Sequence, residues 1–592
     1  MDDMTATQPG RGATGGISIA LAGSGGSGVM TAGNLLLDAA AQAGAYGLMV
    51  RTSGPQIRGG EAAALVRLGP RTMDTLDDTF SLLLAIDWQN VNRFADEIVL
   101  APGSVMIGDP DEGEPPAVFT ATGAHYVPLP LKKMAKALPG SWINMLALGL
   151  AAALAGLPAS AAQAAVRASW KRSANTLDAN LAAVAAGFTA AQGVAAQLAE
   201  AGIRLPQIGA CAAATAPRWS ISGNEAAGFG AIRGGVRFVA AYPITPATEV
   251  LEWLSPALTK VGGSLLQAED ELASVNMIIG ASFGGVPSLT ATAGPGLSLM
   301  TEGIGLAVAA EVPIVVVDVM RGGPSTGIPA KSEQSDLSFA VGGLHGDAPR
   351  LVLAPNSISD CVATTQWAVH LAEALQAPAI VLSDQFMGQS RAVIDRPPDL
   401  PFKAERLVAA ADTPDYKRYR NTESGISPMA VPGTPGVTYT ADGLEHAESG
   451  TPSSQSRDHR LQMDKRERKL RVYDYGPMWA DIEGEGDAAV ITFGSTTAAV
   501  REAVARAAAQ GLRLRLVGMR LLAPARADAL SAALAGTRAA IVIEQNHGAQ
   551  FYRYLRAHFD FPGKLASYHR PGPLPLRPGE LLKALLEWRS AP

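Results

Sequence analysis

Short apolar runs alternate with stretches of helical period along most of this chain. That alternation leaves few folds open. The first instance is Ile17-Ser18-Ile19-Ala20-Leu21-Ala22, then Gly23-Ser24-Gly25-Gly26-Ser27-Gly28, then an amphipathic stretch through Ala43. Strand, glycine loop and helix open a doubly wound unit. Further strands are expected at 48–51, 62–68 and 81–87, with a helical, Ala-rich stretch over 141–201. A second series of strands is expected at 236–241, 264–268, 288–293, 314–320, 350–353 and 379–382, with helical patterns between them. A third is expected at 488–493, 512–519 and 539–544. Alternation of this kind places helices on both faces of mostly parallel sheets.

The fold expected is therefore α/β, with three open-sheet domains at 1–205, 221–401 and 477–592. A Pro- and Ala-containing linker joins the first two over 206–220. The stretch 402–476 has little periodicity and many Pro, Gly, Ser and Thr residues, and is too long for a turn; it reads as an extended strap.

Composition narrows the function. A net charge of -6 with no concentrated basic run does not suit a nucleic-acid protein, which needs clustered Lys and Arg. The one basic cluster, Asp464-Lys465-Arg466-Glu467-Arg468-Lys469, is interrupted by acids and reads as a solvated helix face. The N-terminus carries Asp2 and Asp3 rather than a signal-peptide pattern. The most membrane-like stretch, 142–157, falls short of the roughly 20 residues of a span. A buried helix and a soluble, cytoplasmic protein are expected. Cys211 and Cys361 are the only two cysteines. Two isolated thiols cannot supply the four ligands of an Fe–S cluster or a structural zinc site, so no metal site is expected on this chain.

Four motifs offer chemistry, each beside a plainer reading. The glycine loop allows close backbone approach at a helix N-terminus, which favours phosphate. It reads equally well as a tight strand–helix turn, because Arg51-Thr52-Ser53 stands where a dinucleotide site wants an acid. If the loop binds a ligand, Gly25, Gly26 and Gly28 with Arg51 and Arg58 suit a phosphorylated one. In Tyr242-Pro243-Ile244-Thr245-Pro246, Thr245 is placed to cap a helix with Pro246 at its first position. The same turn sits at the carboxyl edge of a parallel sheet, where ligands of α/β proteins collect. Glu269-Asp270-Glu271 opens a helix, where acids are favoured by the helix dipole alone. The alternative is that one of them is buried against a heterocycle. Finally, the run Val315-Val316-Val317-Asp318-Val319-Met320 delivers Arg321 to a strand end, where its fork suits a carboxylate. An ordinary ion pair with Asp336 or Glu333 is the plainer reading.

Taken in order, the glycine loop, SGPQIRGGEA, YPITP, AEDELASVN, ATAGPG, RGGPSTGIPAKSEQSDL and EQNHG resemble the alpha subunit of 2-oxoacid:ferredoxin oxidoreductases, in the form with a gamma domain fused at its N-terminus. The likeness extends through the strap, including RNTESGISPMAVPG and DKRERKL. It implies a gamma domain handling CoA, a thiamine diphosphate pyrimidine-binding domain and a transketolase C-terminal-like domain. By the resemblance, Glu271 contacts the aminopyrimidine, and Tyr242, Pro243, Ile244, Gly294 and Gly296 line the cofactor. Thr245, Arg321 and Thr326 face the substrate.

Thiamine enzymes hold the diphosphate through Mg²⁺ on a Gly-Asp-Gly segment. Gly108-Asp109-Pro110 and Gly346-Asp347-Ala348 lack its second glycine, so this chain looks like half of a site. The resemblance assigns the diphosphate site, Mg²⁺ and a [4Fe–4S] cluster to a beta subunit, with two alpha–beta pairs forming a heterotetramer and ferredoxin as electron acceptor. It favours 2-oxoglutarate as substrate, with pyruvate or a broad range of 2-oxoacids as alternatives. Rival readings are a thiamine-dependent dehydrogenase or transketolase without ferredoxin, and a non-catalytic nucleotide-binding scaffold.

Overall fold

The computed structural model describes residues 15–54, 60–171, 173–211 and 217–590. It forms two compact units. One takes the chain up to Ile221 together with Arg391–Arg396, and the other takes Ser222–Ser390 and the described chain from Pro397 onward.

The first unit is built on an eight-stranded sheet. Ile17–Gly23, Leu82–Ala85, Val105–Gly108 and His125–Pro128 run parallel, as the βα alternation requires. The sheet is not wholly doubly wound, because Ala62–Gly69 pairs antiparallel with both Ile17–Gly23 and Tyr46–Ser53. Arg391–Ile394 adds a further antiparallel strand beside Tyr46–Ser53, although it lies far along the chain. The apolar stretch 142–157 forms the buried helix Ile143–Leu154, which crosses Ala174–Glu200 at two glycines. A Cβ on Gly149 would lie 2.1 Å from the Val184 carbonyl oxygen, and one on Gly187 would lie 2.3 Å from that of Leu146. Glycine is what lets the two backbones touch. Ala174–Glu200, not 142–157, is the one helix among the described residues that is long and apolar enough to cross a membrane. Its Leu181, Val184, Val194 and Leu198 are buried in this unit's core.

The second unit holds two sheets. The first runs in the order Leu521–Ala523, Leu351–Leu353, Ala379–Asp384, Val315–Met320, Ser288–Thr292, Phe238–Ala241, Ser264–Gln267, and only the Leu521–Ala523 pairing is antiparallel. The other has five strands, from Ala480–Glu483 through Arg515–Met519, Ala488–Phe493 and Ala539–Glu544 to Lys564–His569. Because Leu521–Ala523 comes from the C-terminal block, that block shares an edge and a continuous apolar core with the sheet before it. All three sheets are open, and the α/β fold stands.

The strap is tied down by polar contacts rather than by regular structure. Arg406 makes a two-pronged pair with Glu373, both bonds 2.8 Å. Its last part is the helix Ser456–Arg471, and here the expectation of a solvated charged face is overturned. Gln462, Lys465, Arg466, Lys469 and Leu470 are buried, which is the i, i+3, i+4, i+7, i+8 stripe of an inward helix face. Polar residues fill that stripe because buried Glu311 and half-buried Glu445 meet them there. Glu311 accepts from Lys465 and Lys469, and Glu445 accepts from Arg466.

Candidate active site at the carboxyl edge of the seven-stranded sheet

Phe238–Ala241, Ser288–Thr292 and Val315–Met320 lie side by side and parallel, so their carboxyl ends release Tyr242, Ala293 and Arg321 at one edge. The neighbouring edge strand Ser264–Gln267 leads to Glu269-Asp270-Glu271. The motifs of this second unit that the sequence singled out thus converge at one place, as parallel topology dictates.

The three acids there are not equivalent. Glu269 is exposed. Asp270 is the N-cap of helix Glu271–Phe283, and its side chain accepts from the Ala273 amide at 2.7 Å. Glu271 is the first helical residue and is only 6% exposed. Among the described residues its carboxylate accepts no hydrogen bond. It lies against Gly296: a Cβ there would stand 2.7 Å from Glu271 Oε1 and 2.0 Å from Thr292 Oγ1. The helix dipole explains an acid at this position but not an acid that is buried and without a donor.

Arg321 is 6% exposed, and its Nη1 donates to the Thr245 carbonyl oxygen. The capping reading of Thr245 does not hold. The helix begins at Thr248 with Ala247 as its cap, so Thr245 does not cap. What Thr245 supplies is a carbonyl that orients the arginine. Pro243, Ile244 and Thr245 are half-buried and Tyr242 is exposed. Thr326 is exposed in the loop 322–331, which closes on itself through Gly322 N–H to Lys331 O at 3.0 Å and Ile328 N–H to Gly322 O at 2.8 Å. Among the described residues no hydrogen bond joins Thr326 to Arg321.

Of the two acids considered as partners for Arg321, Asp336 is the one that faces it. They form no ion pair. Burial lowers the arginine's pKa, partly offset by the Asp336 charge. Glu333 instead accepts from the Gly572 amide at 3.2 Å. Asp336 packs on Gly294, where a Cβ would lie 2.7 Å from both carboxylate oxygens. Burial pushes Asp336 up to about 7, with Glu333 adding to the effect and Arg321 opposing it. Asp318 is fully buried, and neither of its oxygens has a donor among the described residues. Burial, and then Asp336, holds it well above the ordinary carboxylate range. The sequence motifs give Asp318 no role. The signal available was a lone acid inside an otherwise apolar central strand.

In the first unit, Gly28 caps the helix Val29–Gln42 in the left-handed conformation, and Asn144 Nδ2 donates to its carbonyl at 3.2 Å. The loop already holds an acid: Asp87 Oδ2 accepts from the Ser24 amide at 2.9 Å and from its hydroxyl at 2.8 Å. Gly25 and Gly26 are exposed, and a Cβ on Gly26 would meet nothing within 4 Å. A cavity of about 390 Å³ beside Ser27 is lined by Asp87, Glu112, Lys132 and Lys136, so its charge is mixed. Arg51 lies in the strand Tyr46–Ser53, and Arg58 lies outside the described residues.

Two family models match. Residues 229–465 match "Pyruvate flavodoxin/ferredoxin oxidoreductase, thiamine diP-bdg", and residues 18–190 match "Pyruvate ferredoxin/flavodoxin oxidoreductase". The alpha subunit of 2-oxoacid:ferredoxin oxidoreductase 2 from Aeropyrum pernix is 30% identical over 92% of this chain and 93% of its own length. Membership in one family follows. The chain belongs to the 2-oxoacid:ferredoxin oxidoreductase alpha subunits.

Among other relatives of this alpha subunit, 2-oxoglutarate synthase subunit KorA from Methanothermobacter marburgensis is 34% identical over 57% of the chain and 90% of its own length. The match to the Saccharolobus solfataricus alpha subunit, 36% identical, spans 57% of this chain and 56% of that relative. A solved structure, 2-oxoglutarate:ferredoxin oxidoreductase from Magnetococcus marinus with 2-oxoglutarate, coenzyme A and succinyl-CoA bound, superposes with a TM-score of 0.87 at 36% identity, covering 97% of this chain and 99% of that one. The thiamine-binding match takes in Glu271, Arg321 and the strap helix as far as Lys465, and the N-terminal match takes in the glycine loop and Arg51.

Proposed function

We propose that this alpha subunit, assembled with a beta subunit, oxidatively decarboxylates 2-oxoglutarate. The reaction converts 2-oxoglutarate, CoA and two oxidised ferredoxins to succinyl-CoA, CO₂, two reduced ferredoxins and a proton, and is reversible in principle. The observation that supports it best is the buried, donor-free carboxylate of Glu271 set against Gly296. A carboxyl group so placed fits the nitrogen face of an aminopyrimidine. Gly294 and Gly296 leave room that any side chain would fill, and Tyr242, Pro243 and Ile244 offer an exposed to half-buried wall beside them. The residues present therefore fit the pyrimidine half of thiamine diphosphate.

When bound, thiamine diphosphate supplies the electron sink for loss of CO₂. Glu271 holds a proton at the pyrimidine ring nitrogen and exchanges it as the ring changes tautomer. Arg321, with one arm committed to the Thr245 carbonyl, presents the rest of its fork to a substrate carboxylate. Thr245 orients that fork, and Thr326 on its exposed loop is placed to close over the distal end of the substrate. Mg²⁺, the diphosphate contacts and a [4Fe–4S] cluster are assigned to the beta subunit, with two alpha–beta pairs as the assembly and the cytoplasm as its compartment. For CoA, the exposed Gly25 and Gly26 with Gly28, Arg51 and Arg58 are the candidates in the N-terminal domain. Asp87 already occupies the Ser24 donors, so an incoming phosphate would meet the outer part of the loop.

The substrate assignment draws on the KorA relatives and on the Magnetococcus enzyme, which holds 2-oxoglutarate. Pyruvate competes, because both family models carry it in their descriptions. The test is co-expression with the beta subunit. A brown complex that reduces ferredoxin with a higher kcat/KM for 2-oxoglutarate than for pyruvate supports the proposal, and the isolated chain should be inactive. Turnover by the isolated chain, or preference for pyruvate, would overturn it.

A further inference from the structure

Behind Arg321 the carboxyl edge of the sheet contains more acid than one arginine can balance. Asp318 pairs in register with Thr292 on the adjacent parallel strand, so the two share a face of the sheet, and the Thr292 hydroxyl and Glu271 both border Gly296. Both Asp318 oxygens are buried and lack a donor among the described residues, as does Oδ2 of Asp336. An ionised carboxylate in that setting has lost its water and gained nothing, so a retained proton is the cheaper state.

The groups around the pair come from every neighbouring element. Arg321 ends the same strand. Glu333 precedes Asp336 in the loop, and its charge raises the Asp336 pKa further. Asp384, opposite Met320 on the next strand, caps Gln385–Gln389 with Oδ1, accepting from the Met387 amide at 2.9 Å, and burial raises its pKa as well. Glu271 stands across Gly296 from Thr292. The only cation among these is Arg321.

We propose that Asp318 and Asp336 keep a proton behind Arg321, and that Asp336 takes up one further proton from solvent when a 2-oxoacid carboxylate binds that arginine. The inference rests on the reading of Arg321 as the carboxylate-binding residue. Asp318, wholly buried, stays neutral throughout. Asp336 is the exchangeable member, since it is nearer solvent and alone faces Arg321. While Asp336 is ionised, it and the incoming carboxylate compete for one guanidinium in a dry site. Protonating Asp336 removes the charge that competes with the substrate for the guanidinium. Asp336 is then a positioning residue that links substrate affinity to pH, and its burial raises its pKa to about 7, where that linkage is felt.

The test uses the complex assembled with its beta subunit. Infrared difference spectra between about pH 5 and about pH 9 should show one protonated carboxyl band that titrates and is absent in Asp336→Asn. A second band, absent in Asp318→Asn, should persist throughout. The KM for 2-oxoglutarate should rise about tenfold per pH unit above the Asp336 pKa at constant kcat, and should be independent of pH in Asp336→Asn. A merely structural aspartate would leave that slope in place. A wild-type spectrum without a protonated carboxyl, or an Asp336→Asn complex that keeps the wild-type KM slope, overturns the inference. If Asp336→Asn does not assemble, the wild-type infrared titration and KM profile decide the matter. Failure of the underlying reading looks different: Arg321→Ala would leave KM unchanged while the carboxyl bands remained.

Discussion

Lys465 of the strap helix donates to the Glu311 carboxylate at 2.5 Å, and neither side chain is exposed to solvent. Lys469 donates to the other Glu311 oxygen at 2.8 Å, and Arg418 reaches the Glu311 backbone carbonyl at 2.9 Å. Burial alone would raise the glutamate's pKa, but the lysine charges override it and hold the carboxyl far below its usual range. Burial pushes Lys465 down to about 7 against the pull of Glu311. One acid thus fastens the end of the strap to the thiamine-binding domain. Glu311→Ala should destabilise the second unit by about 3–5 kcal/mol, because it leaves buried cations without a partner. Replacing Glu311 by Leu together with Lys465 and Lys469 by Met should recover most of that loss in the same denaturation experiment.

Glu271→Gln keeps the shape and the ability to hydrogen-bond but cannot pass a proton to the pyrimidine. Exchange of the thiazolium proton of bound thiamine diphosphate into deuterated water should slow by about 10²–10⁴-fold in the assembled enzyme. Glu269→Gln should have little effect, since that side chain is exposed. Asp270→Asn should also be mild, because asparagine caps nearly as well as aspartate, whereas Asp270→Ala should cost about 1 kcal/mol of stability. Equal small effects at all three acids would return the motif to the helix dipole.

Arg321→Ala should raise the KM for 2-oxoglutarate by roughly 10- to 100-fold, the equivalent of a lost charge-assisted contact of about 1.5–3 kcal/mol. Arg321→Lys should recover only part of this, as an ammonium cannot serve the Thr245 carbonyl and a carboxylate in the same planar geometry. Loss of thermal stability with an unchanged KM would mean the arginine only braces the 242–246 turn.

Stability should also depend on pH through Asp336. Its native pKa is raised to about 7, against about 3.9 in an unfolded chain. Between those values the native state holds a proton that the unfolded state has released. The contribution is therefore complete below about pH 4 and lost as pH rises through about 7. The difference in unfolding free energy between wild type and Asp336→Asn should fall across that window by up to about 1.4 kcal/mol per pH unit. A constant difference would show that Asp336 does not change protonation.

Local chemistry along the chain is enough for the alternation of strands and helices, because a central parallel strand is largely apolar and the stretches between such strands carry a helical period. Ala488–Phe493 and Ala539–Glu544 fall where that rule puts them. Glu271 and Arg321 were legible as members of ordered motifs at strand ends. The pairing of strands distant in sequence was not legible in that way. Arg391–Ile394 joins the first sheet and Leu521–Ala523 the second, and nothing in a four- or three-residue run states its partner. The buried stripe of Ser456–Arg471 is hidden from the sequence for a related reason: hydropathy sees lysine and arginine as solvated, and only the tertiary position of Glu311 and Glu445 makes their burial tolerable. The plainer capping reading of Thr245 fails because capping is a local rule, and here the helix starts later and a distant arginine takes the carbonyl. Asp318 and Asp336 lie eighteen residues apart in sequence and became a pair only when a strand and the loop before a helix were packed against the same edge. Periodicity follows from the backbone geometry each residue prefers, and is written locally. Charge burial depends on which groups the fold brings within a few ångströms, and that is decided in three dimensions.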